Sequence, residues 1–114
     1  MRVLVCGGRG FDNHQWFNDC MNKLHAEIAI TELCHGGAKG ADTLAHRWAQ
    51  RNGISVVRFD ADWAKHGRQA GPIRNIKMLT EFKPERVVAF PGGRGTNHMV
   101  SSARAAGVAI INYR

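Results

Sequence analysis

The sequence predicts an α/β fold: one parallel five-stranded sheet with helices on both faces, in a single domain covering residues 1–114. Three observations predict it. Apolar, β-branched runs alternate with helical patterns in the order β-α-β-α-β-α-β-α-β, and such alternation closes by right-handed crossovers into a parallel sheet. Three of the runs end in glycine-rich segments that open a helix: VLVCGGRGF (3–11), LCHGGAKGAD (33–42) and VVAFPGGRGT (87–96). The length of 114 residues, 44% of them hydrophobic and three of them Trp, suffices for one core and leaves no room for a second.

The elements follow in order. Residues 2–6 (RVLVC) form a short buried strand. Asp12 and Asn13 are N-cap candidates for a first helix whose face carries Phe17, Met21, Leu24 and Ile28. Residues 31–35 (TELCH) make a second strand. A second helix runs from about Ala41 to Asn52 with Ala41, Leu44, Ala45 and Trp48 as its stripe, and Gly53 stops it. Residues 54–59 (ISVVRF) are the third strand. Then comes the longest irregular piece, DADWAKHGRQAG (60–71), a length that in a small domain points to function. Pro72 suits the first position of a third helix reaching about Phe82, with Ile73, Ile76, Leu79 and Phe82 buried. Residues 86–90 are the fourth strand. A fourth helix spans about Thr96–Ala106 before Gly107, and residues 108–113 are the fifth strand.

Charge and cysteine content narrow the classes. Sixteen Lys and Arg against nine Asp and Glu give a net charge of +7, which attracts anionic partners, nucleotide and nucleic acid alike. Cys6, Cys20 and Cys34 form an odd set without CxxC spacing, which fits a reduced cytoplasmic setting. Cys6, Cys34 and His35 lack a fourth metal ligand, so no metal site is read. No apolar stretch reaches the roughly 20 residues that span a bilayer, and the opening MRVLVCGG reads as a strand rather than a signal peptide.

In a parallel sheet ligands bind beyond the carboxyl ends of the strands, where strand order reverses. All three glycine loops and residues 60–71 are expected on that edge. Helix starts present unpaired N–H groups and the positive end of a dipole, and glycine admits phosphate close to them. The loops therefore read as three anion cradles. Two familiar fingerprints fail. GxGxxG would place its third glycine where Asn13 stands, and GxxxxGK[ST] has no match, since Lys39 precedes Gly40 and Ala41 follows it.

At GGRGF (7–11), HGGAKGAD (35–42), DADWAKHGRQAGPIRNIKM (60–78) and FPGGRGT (90–96) the sequence resembles the SLOG superfamily, which groups LOG-type nucleotide phosphoribohydrolases with DprA-like and YpsA-like proteins. It is most similar to the small bacterial and phage branch related to YspA and cpYpsA. The resemblance implies a modified Rossmann-like domain and a purine nucleotide 5′-monophosphate ligand. It implies phosphate binding by Pro91, Gly92, Gly93, Gly95 and Thr96, with Arg74 and Met78 matching the R-x-x-x-M segment. Three residues beyond Thr96, where LOG-type enzymes carry their catalytic glutamate, stands Met99, whose thioether can neither take a proton nor stabilise an oxocarbenium-like ribose.

Other residues complete the candidate site. Asp42, in the first turn after Gly40, either contacts ribose hydroxyls or a glycosidic centre, or is a favourable charge at a helix start. Arg74 can pair bidentately with phosphate and is placed in the first turn of its helix, beside Asn75. Asp42 and Arg74 are the best candidates for a catalytic role, which is otherwise unassigned. Gly8, Arg9, Gly36, Gly37, Lys39 and Gly40 belong to the cradles, with phosphate contact and simple solvation both open for Arg9, Lys39 and Arg94. Trp63 either stacks on a base or plugs the 60–71 segment against the core. His35, His66 and His98 lie near the same edge, whereas His14, His25 and His46 read as surface residues.

Three functions compete. The leading one is binding of a nucleotide or nucleotide derivative, with no cofactor implied. The second is N-glycosidic cleavage of a nucleoside monophosphate, with Asp42 replacing the missing glutamate. The third, single-stranded nucleic acid binding, draws on the DprA-like relatives and the charge but lacks an aromatic platform beyond Trp63 and Phe11. The LOG-type relatives also imply a homodimer, and no membrane partner is read.

Overall fold

The computed structural model describes residues 1–114. Strands β1 (Arg2–Cys6), β2 (Glu32–His35), β3 (Ser55–Arg58), β4 (Arg86–Ala89) and β5 (Ala109–Asn112) form one sheet in the order β3-β2-β1-β4-β5. Every neighbouring pair is parallel, with Val3 opposite Leu33 on one side and Arg86 on the other. The predicted α/β class, with helices on both faces, is borne out. No helix is long and apolar enough to cross a membrane.

The two faces follow from the two-residue period of the strands. Val3, Val5, Leu33 and Val88 point to one face and pack with Phe17, Met21 and Leu24 of α1 (His14–Ile28) and Leu44 and Trp48 of α2 (Ala41–Arg51). Leu4, Cys6, Cys34, Val87 and Ala89 point to the other. Residues 63–82 follow β3 as α3 (Trp63–His66), a 3-10 turn (Gly67–Gln69) and α4 (Ala70–Lys77), which runs on as a π turn over Met78–Phe82. Met78 meets that second face together with Met99, Val100 and Ala103 of α5 (Arg94–Ala105). The chain thus winds from β1 through β2 to β3 over one face, then returns to β4 and β5 over the other. The reversal falls between β1 and β4, whose carboxyl ends open a crevice.

Several local expectations need correction. Residues 60–71 are not an irregular loop. The Asp62 carboxylate accepts from Lys65 N at 3.0 Å and caps α3, and Gly67, at φ +54°, lets the chain turn out of it. Pro72 is the third residue of α4 rather than the first, still within the turn whose N–H groups lack helical partners. The apolar periodicity of α4 misleads as well: Ile73 is 43% and Ile76 45% exposed, while Ala70, Gly71, Asn75 and Met78 face inward. The cap of α1 is Asn13 alone, accepting from Trp16 N at 3.2 Å, and α5 starts two residues before the expected Thr96.

Candidate functional site

The three glycine loops meet at the reversal point. Gly8 N donates to Pro91 O at 2.8 Å, locking the first loop to the third, and Ala41 N donates to Gly8 O at 3.2 Å, locking the first to the second. Between these loops, α3 and α4 lies a cavity of about 540 Å³. Of the residues predicted from sequence, Gly8, Arg9, Gly36, Asp42, Trp63, Arg74, Asn75, Gly93, Gly95 and Thr96 line it. Gly37, Lys39, Gly40, Pro91 and Gly92 do not. Ala38 carries no signal in the sequence, and Cys6, Arg68, Met78 and His98, which the sequence does not mark as ligand-binding, also line the cavity. The signal for His98 was its spacing: three residues after Gly95 on a helix, it shares that residue's face.

The second and third of the expected anion cradles differ in how their amides are used. In the second loop, Gly37 N donates to His35 Nδ1 at 2.9 Å and Ala38 N to Asp42 Oδ2 at 3.1 Å. The start of α2 is closed by the first loop: Gly40 sits at φ +76°, and a Cβ there would collide with the carbonyl oxygens of Gly8 and Arg9. The second loop is therefore a brace, and Lys39 is an exposed loop lysine outside the cavity. At α5 the N-cap residue, Gly93, offers no side chain, and the amides of Arg94, Gly95 and Thr96 find no acceptor within the chain. Three free N–H groups at the positive end of a 12-residue helix thus open into the cavity.

Arginine charge surrounds that helix start. Arg9, Arg68, Arg74 and Arg94 all line the cavity, and none forms an ion pair within the chain. Arg74 stands in the second turn of α4, not the first. Its Nη1 donates to Gly36 O and its Nε to Asn75 Oδ1 at 3.0 Å. Both acceptors are neutral, so the guanidinium is fixed without forming an ion pair. Burial lowers the Arg74 pKa from its ordinary value, opposed by the nearby Asp42 carboxylate. Gly36 makes the contact feasible, since a Cβ there would stand 2.5 Å from Arg74 Nη1. Buried Asn75 donates through Nδ2 to Gly95 O at 3.3 Å and to His98 Nδ1 at 3.1 Å, tying α4 to the first turn of α5.

Asp42 is the single carboxylate lining the cavity, and it is 6% exposed. Burial pushes its pKa up to about 6, against the amide hydrogen bond from Ala38 and the attraction of Arg74. The group therefore changes protonation just below neutral pH. Behind it, His35 is buried; Nδ1 accepts from Gly37 N, and Nε2 lies 2.8 Å from His46 Nδ1. That pairing fixes His35 as the Nε2–H tautomer donating to His46, which is half-buried rather than a surface residue. Burial first, then His46 and the Arg58 and Arg74 charges, hold the His35 pKa down to about 4. His25 is half-buried too, its Nδ1 accepting from Ile30 N at 3.0 Å. Cys6 lines the cavity floor, but burial and Asp42 push its thiol up to about 12, so it remains protonated.

The Trp63 ring forms the outer wall and is 50% exposed. Two further carboxylates near this edge are engaged elsewhere, Asp60 with Arg58 Nε at 2.6 Å and Asp62 with the α3 cap. Met99 is 1% exposed and belongs to the apolar cluster beneath the cavity, among Leu4, Cys6, Val87 and Met78.

Residues 1–66 match the model of the YspA, cpYpsA-related SLOG family. A curated relative, the Gene 61 protein of Mycobacterium phage D29, is 38% identical over 120 residues, covering 98% of this chain and 95% of its own. Among solved structures, DNA processing protein A (DprA) from Streptococcus pneumoniae superposes with a TM-score of 0.77 at 17% identity, over 97% of this chain and 49% of that one. The protein TM1055 superposes with a TM-score of 0.72 at 21% identity, over 96% of this chain and 71% of its own. At these identities the two structures establish the fold, while the family match and the phage relative establish kinship: the chain belongs to the YspA, cpYpsA-related SLOG family.

Proposed function

We propose that the protein binds a nucleotide or nucleotide-derived molecule, with a phosphate group at the start of α5. One observation carries the reading. Three unpartnered amides of α5 and four arginines without ion pairs converge on one cavity at the strand-order reversal. Helix start and guanidinium both select anionic oxygen, and Arg74 is already oriented for it. The SLOG membership and the folds shared with DprA and TM1055 support a nucleotide- or nucleic-acid-related role. Pro91 and Gly92 serve this reading indirectly, by holding the loop against Gly8; the amides of Arg94, Gly95 and Thr96, which follow the Gly93 cap, carry the contact. Calorimetric titration and thermal shift with AMP, ADP-ribose, NAD and cyclic nucleotides test it. A ligand at 100 times its dissociation constant raises stability by about 2.7 kcal/mol. Arg74→Ala lowers the affinity at least tenfold. Absence of binding by the whole panel overturns the proposal. Binding to single-stranded oligonucleotides that falls steeply with salt moves the assignment toward nucleic acid.

Asp42 favours a second reading, N-glycosidic cleavage of a nucleoside 5′-monophosphate. A buried carboxyl at about 6, facing the cavity, is suited to hand a proton to a departing base. The C1′–N bond breaks as the base nitrogen takes that proton. Water then adds to C1′ and returns a proton to Asp42, leaving free base and ribose 5-phosphate. Release of base from AMP that is lost in Asp42→Asn, with AMP binding retained, supports this reading; no release by the wild type ends it.

A further inference from the structure

We propose that Trp63 is a stacking platform for an aromatic base, so that the ligand lies with its phosphate at α5 and its base on the indole. The inference rests on the phosphate-binding reading above and adds the chemistry of the other end of the ligand. Trp63 belongs to neither apolar cluster of the fold. It therefore does not plug the core. The contrast with Trp48 is direct: that ring is buried and its Nε1 donates to Asn22 Oδ1 at 2.8 Å, whereas the Trp63 indole N–H has no partner within the chain.

What holds Trp63 is backbone. The Asp62 cap fixes the turn that carries it, and its six-membered ring lies against Gly71, where an added Cβ would stand 3.4 Å from Cη2. The ring is thus positioned without being covered. The Arg9 guanidinium lies over its face, 5.6 Å from the ring centroid. Arg9 makes no hydrogen bond or ion pair through its side chain, and its backbone is pinned by the neighbouring Gly8–Pro91 bond and by close-packed Gly40. Guanidinium and nucleobase are both flat and both select a π face, so Arg9 marks the surface that a base takes. Once displaced, the guanidinium has the cavity and its phosphate as the nearest anionic partner. Stacking tolerates every base, so the site discriminates base from no base more than one base from another.

The test compares AMP, CMP and ribose 5-phosphate by calorimetry on wild type, Trp63→Ala, Trp63→Phe and Arg9→Ala, with circular dichroism to verify the fold of each. Wild type binds both nucleotides about tenfold or more tighter than ribose 5-phosphate. Trp63→Ala removes that advantage and leaves ribose 5-phosphate within twofold, and Trp63→Phe restores most of it. Arg9→Ala weakens all three ligands by a common factor. Equal affinity of wild type for AMP and ribose 5-phosphate overturns the platform while leaving the phosphate site standing. An advantage that survives Trp63→Ala overturns it as well. Failure of all three ligands to bind wild type overturns the phosphate site and the platform together.

Discussion

The Asn75 side-chain amide donates to His98 Nδ1 across 3.1 Å, and through this bond α4 and α5 share one polar strut. The same nitrogen reaches Gly95 O, and Asn75 Oδ1 receives Arg74 Nε. Arg74 in turn holds Gly36 O. A continuous chain of hydrogen bonds therefore runs from the loop after β2 to the first turn of α5, and it sets the distance between the fixed guanidinium and the free amides.

Asn75→Ala severs that chain in the middle. It leaves Gly95 O and His98 Nδ1 without the Asn75 donor and Arg74 Nε without its acceptor, all in part-buried bonds, which costs about 1 kcal/mol in a denaturant titration. Asn75→Asp is the sharper test. It keeps the shape but turns the donor toward Gly95 O and His98 into an acceptor, and adds negative charge beside the proposed phosphate position. Both variants lose affinity for AMP, Asn75→Asp more than Asn75→Ala. An Asn75→Asp protein with wild-type stability and affinity would show that the strut positions nothing.

Gly36→Ala reproduces the binding loss of Arg74→Ala without touching the arginine. An added methyl would meet Arg74 Nη1 at 2.5 Å and its guanidinium carbon at 2.7 Å, so the side chain must leave its seat. A flexible arginine moves at little cost, and Gly36 does not have positive φ, so stability changes by only about 1 kcal/mol. The expected result is a tenfold or larger loss of AMP affinity with a nearly unchanged melting temperature. Unaltered affinity would place the productive position of Arg74 elsewhere.

How much of this was readable beforehand depends on the kind of signal. The sheet was legible because alternating β and α patterns leave few topologies, and the meeting of the glycine loops followed from it. The division of labour among the loops was not. GGRG, GGAKG and PGGRG read alike, but whether their amides are free depends on Gly40 packing against the Gly8 carbonyl and on His35 reaching Gly37 N, contacts between distant segments. The face of α4 was misread because Ile73 and Ile76 give an apolar period, whereas the helix turns Arg74 and Asn75 toward the cavity. Binary patterning assumes that the inward face is dry, and here it lines a polar site. The His35–His46 pair was invisible because nothing in the sequence relates a strand end to the second turn of the following helix.

Asp42 and His35 pull the pH dependence of stability in opposite directions. Asp42 has a folded pKa of about 6, raised from 3.8. Between those values the folded chain holds a proton that the unfolded chain has released, so stability falls as pH rises through that window. His35 has a folded pKa of about 4, lowered from 6.5. The unfolded chain takes up a proton near pH 6.5 that the folded chain refuses until about 4, so stability falls as pH drops through that window. Each contribution is roughly 3 kcal/mol at 1.36 kcal/mol per pKa unit, and in the wild type they largely offset. Urea midpoints at several pH values between 4.5 and 7.5 separate them. Asp42→Asn loses stability on acidification more steeply than wild type; His35→Gln gains it. Parallel pH profiles for the three proteins would refute the coupling.

A glutamate at position 99 adds no glycosidic cleavage to this chain. By the resemblance to LOG-type enzymes Met99 stands where their catalytic carboxylate would be, but its side chain belongs to the apolar cluster with Leu4, Val87 and Val100 and does not line the cavity. A carboxyl there loses its hydration inside an apolar cluster. Met99→Glu therefore costs several kcal/mol and stays protonated at neutral pH. The expected outcome is a large drop in melting temperature that is partly recovered at acidic pH, where the unfolded chain is protonated too, and no release of base from AMP beyond that of the wild type. If Met99→Glu folded with wild-type stability and cleaved AMP, residue 99 would have access to the cavity, and the separation of floor from core drawn from Met78, Cys6 and Met99 would fall.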